Sequence, residues 1–215
     1  GNRGNCLYPN KINVTDETAL TEAVKCDYVC AEYRNSYRSG ANFIGADCLP
    51  VDCDNDHSED PADWVVPADV ANAFPGVGFA VHYSRNNLKE KNGKAPRPKF
   101  HVLFPIDRIS DARLYADMKR LVCGIFPFFD TQALDAARFF FGTATPEVEL
   151  YSGTMNLTTF LRTDDFDADM ENNGQPRVIA EGNRNATMSR FAGRILKRYG
   201  DTEEAYQCFC DEAAK

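Results

Sequence analysis

The stretch Lys99-Phe100-His101-Val102-Leu103-Phe104 constrains the fold more than any other. Side chains alternate between the faces of a strand, so Phe100, Val102 and Phe104 share one face and Lys99 and His101 the other. The first face needs a core and the second needs polar partners. The strand is read over residues 99–106, with strand-like runs also at 28–33, 43–53 and 78–83 and shorter ones at 128–130, 139–141 and 148–151. A loop over 84–98, with four Asn or Gly and two Pro residues, joins the 78–83 and 99–106 runs.

Helical patterns lie between the strands. Thr15-Asp16-Glu17 opens an amphipathic helix towards Lys25. Pro67 suits the first position of a helix ending near Phe74, before Pro75-Gly76. Ser110-Asp111 caps a longer helix, with Leu114, Met118, Leu121, Val122 and Ile125 assigned to its inner face and Phe126-Pro127 ending it. Strands alternating with helices predict an α+β or mixed α/β core. Residues 164–180 read as a linker, rich in acids at first and containing Asn172-Asn173-Gly174. Two further helices are expected at 185–198 and 202–213. The predicted organisation is a main domain over 1–163 and a small helical module over 181–215.

The chain has 215 residues, 43% of them hydrophobic, enough for one sizeable core. No apolar run approaches the ~20 residues of a membrane span, and the first residues lack a signal-peptide pattern, so a cytoplasmic location is expected. Without export, the eight cysteines are expected to be free and mostly buried thiols. The alternative is a metal held by Cys48, Cys53 and His57, or by Cys208 and Cys210.

The net charge of −8 is unevenly spread. Residues 47–69 hold eight acids and no Lys or Arg, whereas Arg85, Lys89, Lys91, Lys94, Arg97 and Lys99 are opposed within 85–101 only by Glu90. Each block can be a solvated loop. Together they supply what a metal-dependent nucleotide enzyme needs, carboxylates for cations and bases for phosphates.

Three clusters carry chemistry. Asp52 and Asp54 stand two apart at the end of an apolar run, where like charges repel unless a divalent cation relieves them. Lys99 and His101 offer a fixed charge and a donor to a phosphate chain, or else mark the wet face of an edge strand. Asp130 follows Phe128-Phe129, and Arg138 precedes the apolar Phe139-Phe140-Phe141, where a guanidinium needs an anion. An internal Asp130–Arg138 ion pair is the alternative reading of that cluster.

In this order the three clusters resemble the motifs of the archaeo-eukaryotic primase superfamily, in particular the primase–polymerases of phages, plasmids and integrative elements. Asp52/Asp54 resemble its Asp-x-Asp motif, Lys99/His101 its second motif, and Phe129-Asp130 its hydrophobic-Asp motif. Lys99 stands where many members have Ser, and Leu134-Asp135 also fits the third motif. Asp130 is preferred for its spacing to Arg138. The segment Glu181-Gly182-Asn183-Arg184-Asn185-Ala186-Thr187-Met188 resembles the start of the small helical module that follows the catalytic domain in such proteins.

The resemblance implies an α+β catalytic core with an RRM-like sheet. It also implies a nucleotidyltransferase that joins NTPs or dNTPs on single-stranded DNA by a two-metal route. Asp52, Asp54 and Asp130 would hold Mg²⁺ or Mn²⁺, and Lys99, His101 and Arg138 would clamp the triphosphate. The template would cross Arg85, Lys89, Lys91 and Lys94, with Arg34, Tyr37 and Arg38 as further nucleotide or template contacts. A helicase domain or other replication proteins are the implied partners. The alternatives are an inactive nucleotide- or DNA-binding accessory and a rolling-circle initiator. The latter usually wants two His flanking one apolar residue, whereas His57, His82 and His101 are far apart in the chain.

Overall fold

The computed structural model describes residues 4–90, 93–132, 134–162, 206, 207 and 210. Lys91, the 164–180 linker, and the 181–215 module apart from those three positions lie outside the described residues. Among the described residues five strands form one sheet: β1 (Glu32–Tyr33), β2 (Phe43–Cys53), β3 (Phe79–Tyr83), β4 (Phe100–Ile109) and β5 (Val148–Tyr151). Their order is β1-β2-β4-β3-β5, and every neighbouring pair is antiparallel. Among the described residues up to Arg162, four α-helices accompany them: α1 (Glu17–Ala23), α2 (Pro67–Ala73), α3 (Ala112–Ile125) and α4 (Leu157–Arg162). The fold is mixed α+β, as the element pattern predicts.

Helix starts follow local chemistry. Asp16 accepts from the Ala19 amide at 2.8 Å, and Asp111 from the Arg113 and Leu114 amides at 2.7 and 2.9 Å. Pro67 opens α2, where its missing N–H costs no intrahelical bond.

The alternation in β4 is observed. Phe100, Val102 and Phe104 join Leu49, Val51 and Cys53 of β2 and Phe79 and Val81 of β3 in the main core. Val70 of α2, Tyr115 and Val122 of α3, and Leu157 and Phe160 of α4 complete that core. Phe74 sits among four rings, 4.7 Å from Phe104, 4.2 Å from Phe126, 6.1 Å from Phe129 and 5.4 Å from Phe160. Leu20 and Val24 pack with Ala80 and Leu103 in a second, smaller cluster. Among the described residues no helix is long and apolar enough to cross a membrane.

Four expectations are corrected. Of 28–33 only Glu32–Tyr33 is strand, while Tyr28 makes an isolated antiparallel bridge with Phe140. Residues 128–130 form a turn that sends Phe129 into the core, because an apolar run can fill a core without pairing. Residues 139–141 contribute only that single bridge. On α3, Leu114 and Leu121 are exposed, and the buried side carries Tyr115, Ala116, Lys119, Val122 and Cys123. The polar tips decide this orientation: the Tyr115 hydroxyl donates to the Cys48 carbonyl at 2.8 Å, and Lys119 to the Asp135 carbonyl at 3.2 Å.

Candidate active site

The ladder sets three polar residues in one row. Asp52 of β2 is the cross-strand partner of His101 on β4, and His101 is the partner of His82 on β3. All three side chains therefore lie on the sheet face opposite the main core. His101 Nδ1 hydrogen-bonds Asp52 Oδ1 directly, and Arg138 donates from Nη2 to Asp52 Oδ2 at 2.9 Å. Burial alone raises the Asp52 carboxyl, but His101 and then Arg138 outweigh it and hold the group below the ordinary carboxylate value.

Asp130 arrives through the backbone. Its amide donates to the Asp52 carbonyl at 2.8 Å. Its carboxylate accepts from the Gln132 amide at 2.8 Å. Burial raises this carboxyl, and the charges of Asp52 and Asp54 push it further in the same direction. Asp130 thus feels the charges of the other two predicted carboxylates. Asp135 is exposed, and its carboxylate accepts from the Ala137 amide at 2.7 Å.

β2 ends at Cys53, so Asp54 leaves the strand instead of standing beside Asp52 in regular alternation. Asn55 then turns the chain with φ +52°. Its side chain donates to the Val65 and Pro98 carbonyls at 2.9 Å each and accepts from the Val65 amide at 2.8 Å. Arg97 is fully buried beneath this turn. It donates to the Asn55 carbonyl at 2.9 Å and to Glu59 at 2.6 Å, with Trp64 over its guanidinium.

The acidic and basic blocks therefore dock on each other. Lys99 Nζ is 3.6 Å from Asp54 and 3.4 Å from Asp56, and Lys94 is 3.3 Å from Asp56. Lys89 donates to the Arg85 carbonyl at 2.7 Å, and the Arg85 guanidinium lies over the Phe141 ring. Arg34 and Tyr37 are exposed, and Arg38 lies over Phe139.

His82 is a site neighbour that its sequence position did not flag. It is fully buried, with Nδ1 at 3.1 Å from the Tyr28 hydroxyl and Nε2 at 3.0 Å from Thr143 Oγ1. Burial, then the neighbouring His101, lowers its pKa to about 3 and keeps the ring neutral. Tyr28 stacks on Phe140, whose ring meets His101 edge-on at 4.9 Å. Gly142 lets this strip approach closely, since a Cβ there would come within 2.3 Å of the Cys26 backbone.

The donor set suits a hard dication in charge, with hard oxygens whose repulsion such an ion relieves. Its arrangement does not yet form a cage. Among the described residues no three His, Cys, Asp or Glu side chains converge as a ligand group, and both Asp52 oxygens are engaged. Cys48 and Cys53, five apart on β2, fall on opposite faces, so they do not converge with His57. Cys53 lies in the main core, where burial pushes its thiol up to about 12. Cys48 packs against the second cluster, and His57 is bonded to the Asp63 carbonyl. Cys208 lies outside the described residues.

No protein-family model matches the chain, and no curated protein matches it in sequence. Among solved structures, the chain is similar to the AEP domain of the cyanophage S-2L primase-polymerase, with a TM-score of 0.43 and 15% identity over 73% of this chain and 85% of that one.

Proposed function

We propose that the chain is a nucleotidyltransferase of the primase–polymerase kind, extending a strand on a single-stranded DNA template from NTPs or dNTPs. The observation that carries this reading is the junction of all three motifs at Asp52, which bonds His101, Arg138 and the amide of Asp130. Asp52, Asp54 and Asp130 would hold Mg²⁺ or Mn²⁺, which supplies charge neutralisation at the triphosphate and activates the attacking hydroxyl. Each Asp52 oxygen keeps a lone pair beyond its present hydrogen bond with which to meet a cation. Arg138 and His101 would meet phosphate oxygens, where a guanidinium offers two parallel donors. Lys99 is the weaker candidate for that role, because Asp54 and Asp56 already engage it. The setting we envisage is the cytoplasmic replication of a mobile element, alongside a helicase or other replication proteins.

The test is nucleotide incorporation on single-stranded DNA, primed and unprimed, in Mg²⁺ and in Mn²⁺. The wild type is compared with the Asp52→Ala/Asp54→Ala double variant. Template-dependent product that disappears in the variant supports the reading. No product from the wild type under either metal overturns it.

A second reading, a nucleotide- or DNA-binding accessory without catalysis, is favoured by the internal satisfaction of Asp52 and Lys99. It predicts strand binding without incorporation. The rolling-circle reading gains the adjacency of His82 and His101 but loses His82 as a ligand, because both its nitrogens are hydrogen-bonded.

A further inference from the structure

Phe139, Phe140 and Phe141 alternate along one extended segment. Phe140 is buried against Tyr28, while Phe139 and Phe141 are half-buried and meet edge-on at 5.0 Å. A guanidinium lies over each of the outer rings: Arg38 is 4.7 Å from the Phe139 centroid and Arg85 is 3.8 Å from that of Phe141. Arg38 donates from Nη1 to the Ala137 carbonyl at 2.8 Å and from Nη2 to Cys6 Sγ at 3.7 Å, two contacts that hold the guanidinium in place. Among the described residues neither guanidinium forms an ion pair, whereas nearby Lys94, Arg97 and Lys99 are all paired with acids. Two cations without counter-charges therefore flank two rings only partly withdrawn from water. That combination suits a ligand with both flat π-faces and negative charge. The strip also begins one residue after Arg138, which holds Asp52.

We infer that Arg38, Phe139, Phe141 and Arg85 form a stacking platform for unpaired bases of a single DNA strand, with the two arginines also meeting its phosphates. This deepens the function proposed above by assigning the strand's path, and it rests on that reading for the identity of the strand. Stacking tolerates any base, so the platform binds without sequence preference.

The experiment is anisotropy of a labelled single-stranded 20-mer in EDTA, without nucleotides. Wild type is compared with Phe139→Leu, Phe141→Leu, Phe141→Trp and, as a surface control on α3, Asp117→Asn. Leucine keeps the apolar packing and removes the π-face, so each Leu variant is expected to bind roughly tenfold more weakly. Phe141→Trp is expected to retain binding, with its indole fluorescence quenched by the strand. Asp117→Asn is expected to bind as wild type does. Leu variants that bind as tightly as wild type overturn the platform, even if the wild type incorporates nucleotides. Loss of binding in the Leu variants with retention in Asp117→Asn supports it, even if no incorporation is seen. A wild type that fails to bind the strand overturns it as well.

Discussion

Arg138 donates to Asp52 across 2.9 Å, joining side chains 86 positions apart in the chain. With His101 on the other carboxylate oxygen, Asp52 is a shared acceptor and not a freely solvated acid.

Replacing Arg138 by Ala removes one of the two partners that keep Asp52 ionised. Incorporation is expected to fall by about 100-fold, the usual scale for losing one aimed donor. Lys at this position is expected to restore little, because it lacks the planar fork. The depressed Asp52 group contributes stability above its unfolded-state value, and that stability is lost as pH falls through its folded value. An acid titration followed by circular dichroism should therefore place the variant's unfolding midpoint at higher pH than the wild type's.

Asp130→Asn should separate stability from activity. The raised Asp130 carboxyl retains a proton that the unfolded chain releases, so stability declines as pH rises through that window. Asparagine removes this decline and the repulsion from Asp52 and Asp54. Thermal melts at pH 7 are expected to show a higher melting temperature than wild type, with incorporation abolished. Mn²⁺ should raise the wild-type melting temperature more than that of the variant.

His82 makes the fold acid-sensitive in a different range. Its folded pKa of about 3 lies below the ordinary histidine value, so the unfolded chain takes up a proton that the folded one refuses. Stability is fully present above about pH 6.5 and is lost as pH falls, by on the order of 1–2 kcal/mol on reaching pH 5. Urea unfolding at pH 7.5 and pH 5 should show this loss in wild type. It should shrink in a folded His82→Gln variant.

Arg97→Gln leaves the Asn55 carbonyl and Glu59 without their buried partner. A destabilisation of about 1–3 kcal/mol, the cost of leaving the buried Asn55 carbonyl without its donor, is expected by chemical denaturation. Arg85→Gln, on the exposed side of the same 84–98 segment, is expected to leave stability nearly unchanged.

Much of this architecture was legible in the residues. The bounds 43–53 and the helix from Pro67 needed only an apolar run and a proline at a first turn. Asp52, His101 and Arg138 were legible as polar residues in or beside apolar surroundings that demand partners. What stayed hidden depends on long-range contact. Which side of α3 faces inward turns on two hydrogen bonds to distant carbonyls. Among the described residues helix α4 covers six positions, too few for periodicity to speak. Arg97 looked like one more base in a basic loop because nothing local reveals that Asn55 and Glu59 enclose it. His82 carries no motif, and only strand pairing brings it beside His101.

The register of β2 on β4 has a consequence for how such a chain tolerates change. Asp52 and His101 face each other because rungs of a ladder coincide, not because a set number of residues separates them. The loops that join β2 to α2 and β3 to β4 could lengthen or shorten at their exposed tips with little displacement of that pair. A single-residue deletion inside either strand would turn one partner to the opposite face. Insertions at loop tips are thus the natural places to splice in a tag or a reporter, and the strands are the places to leave intact.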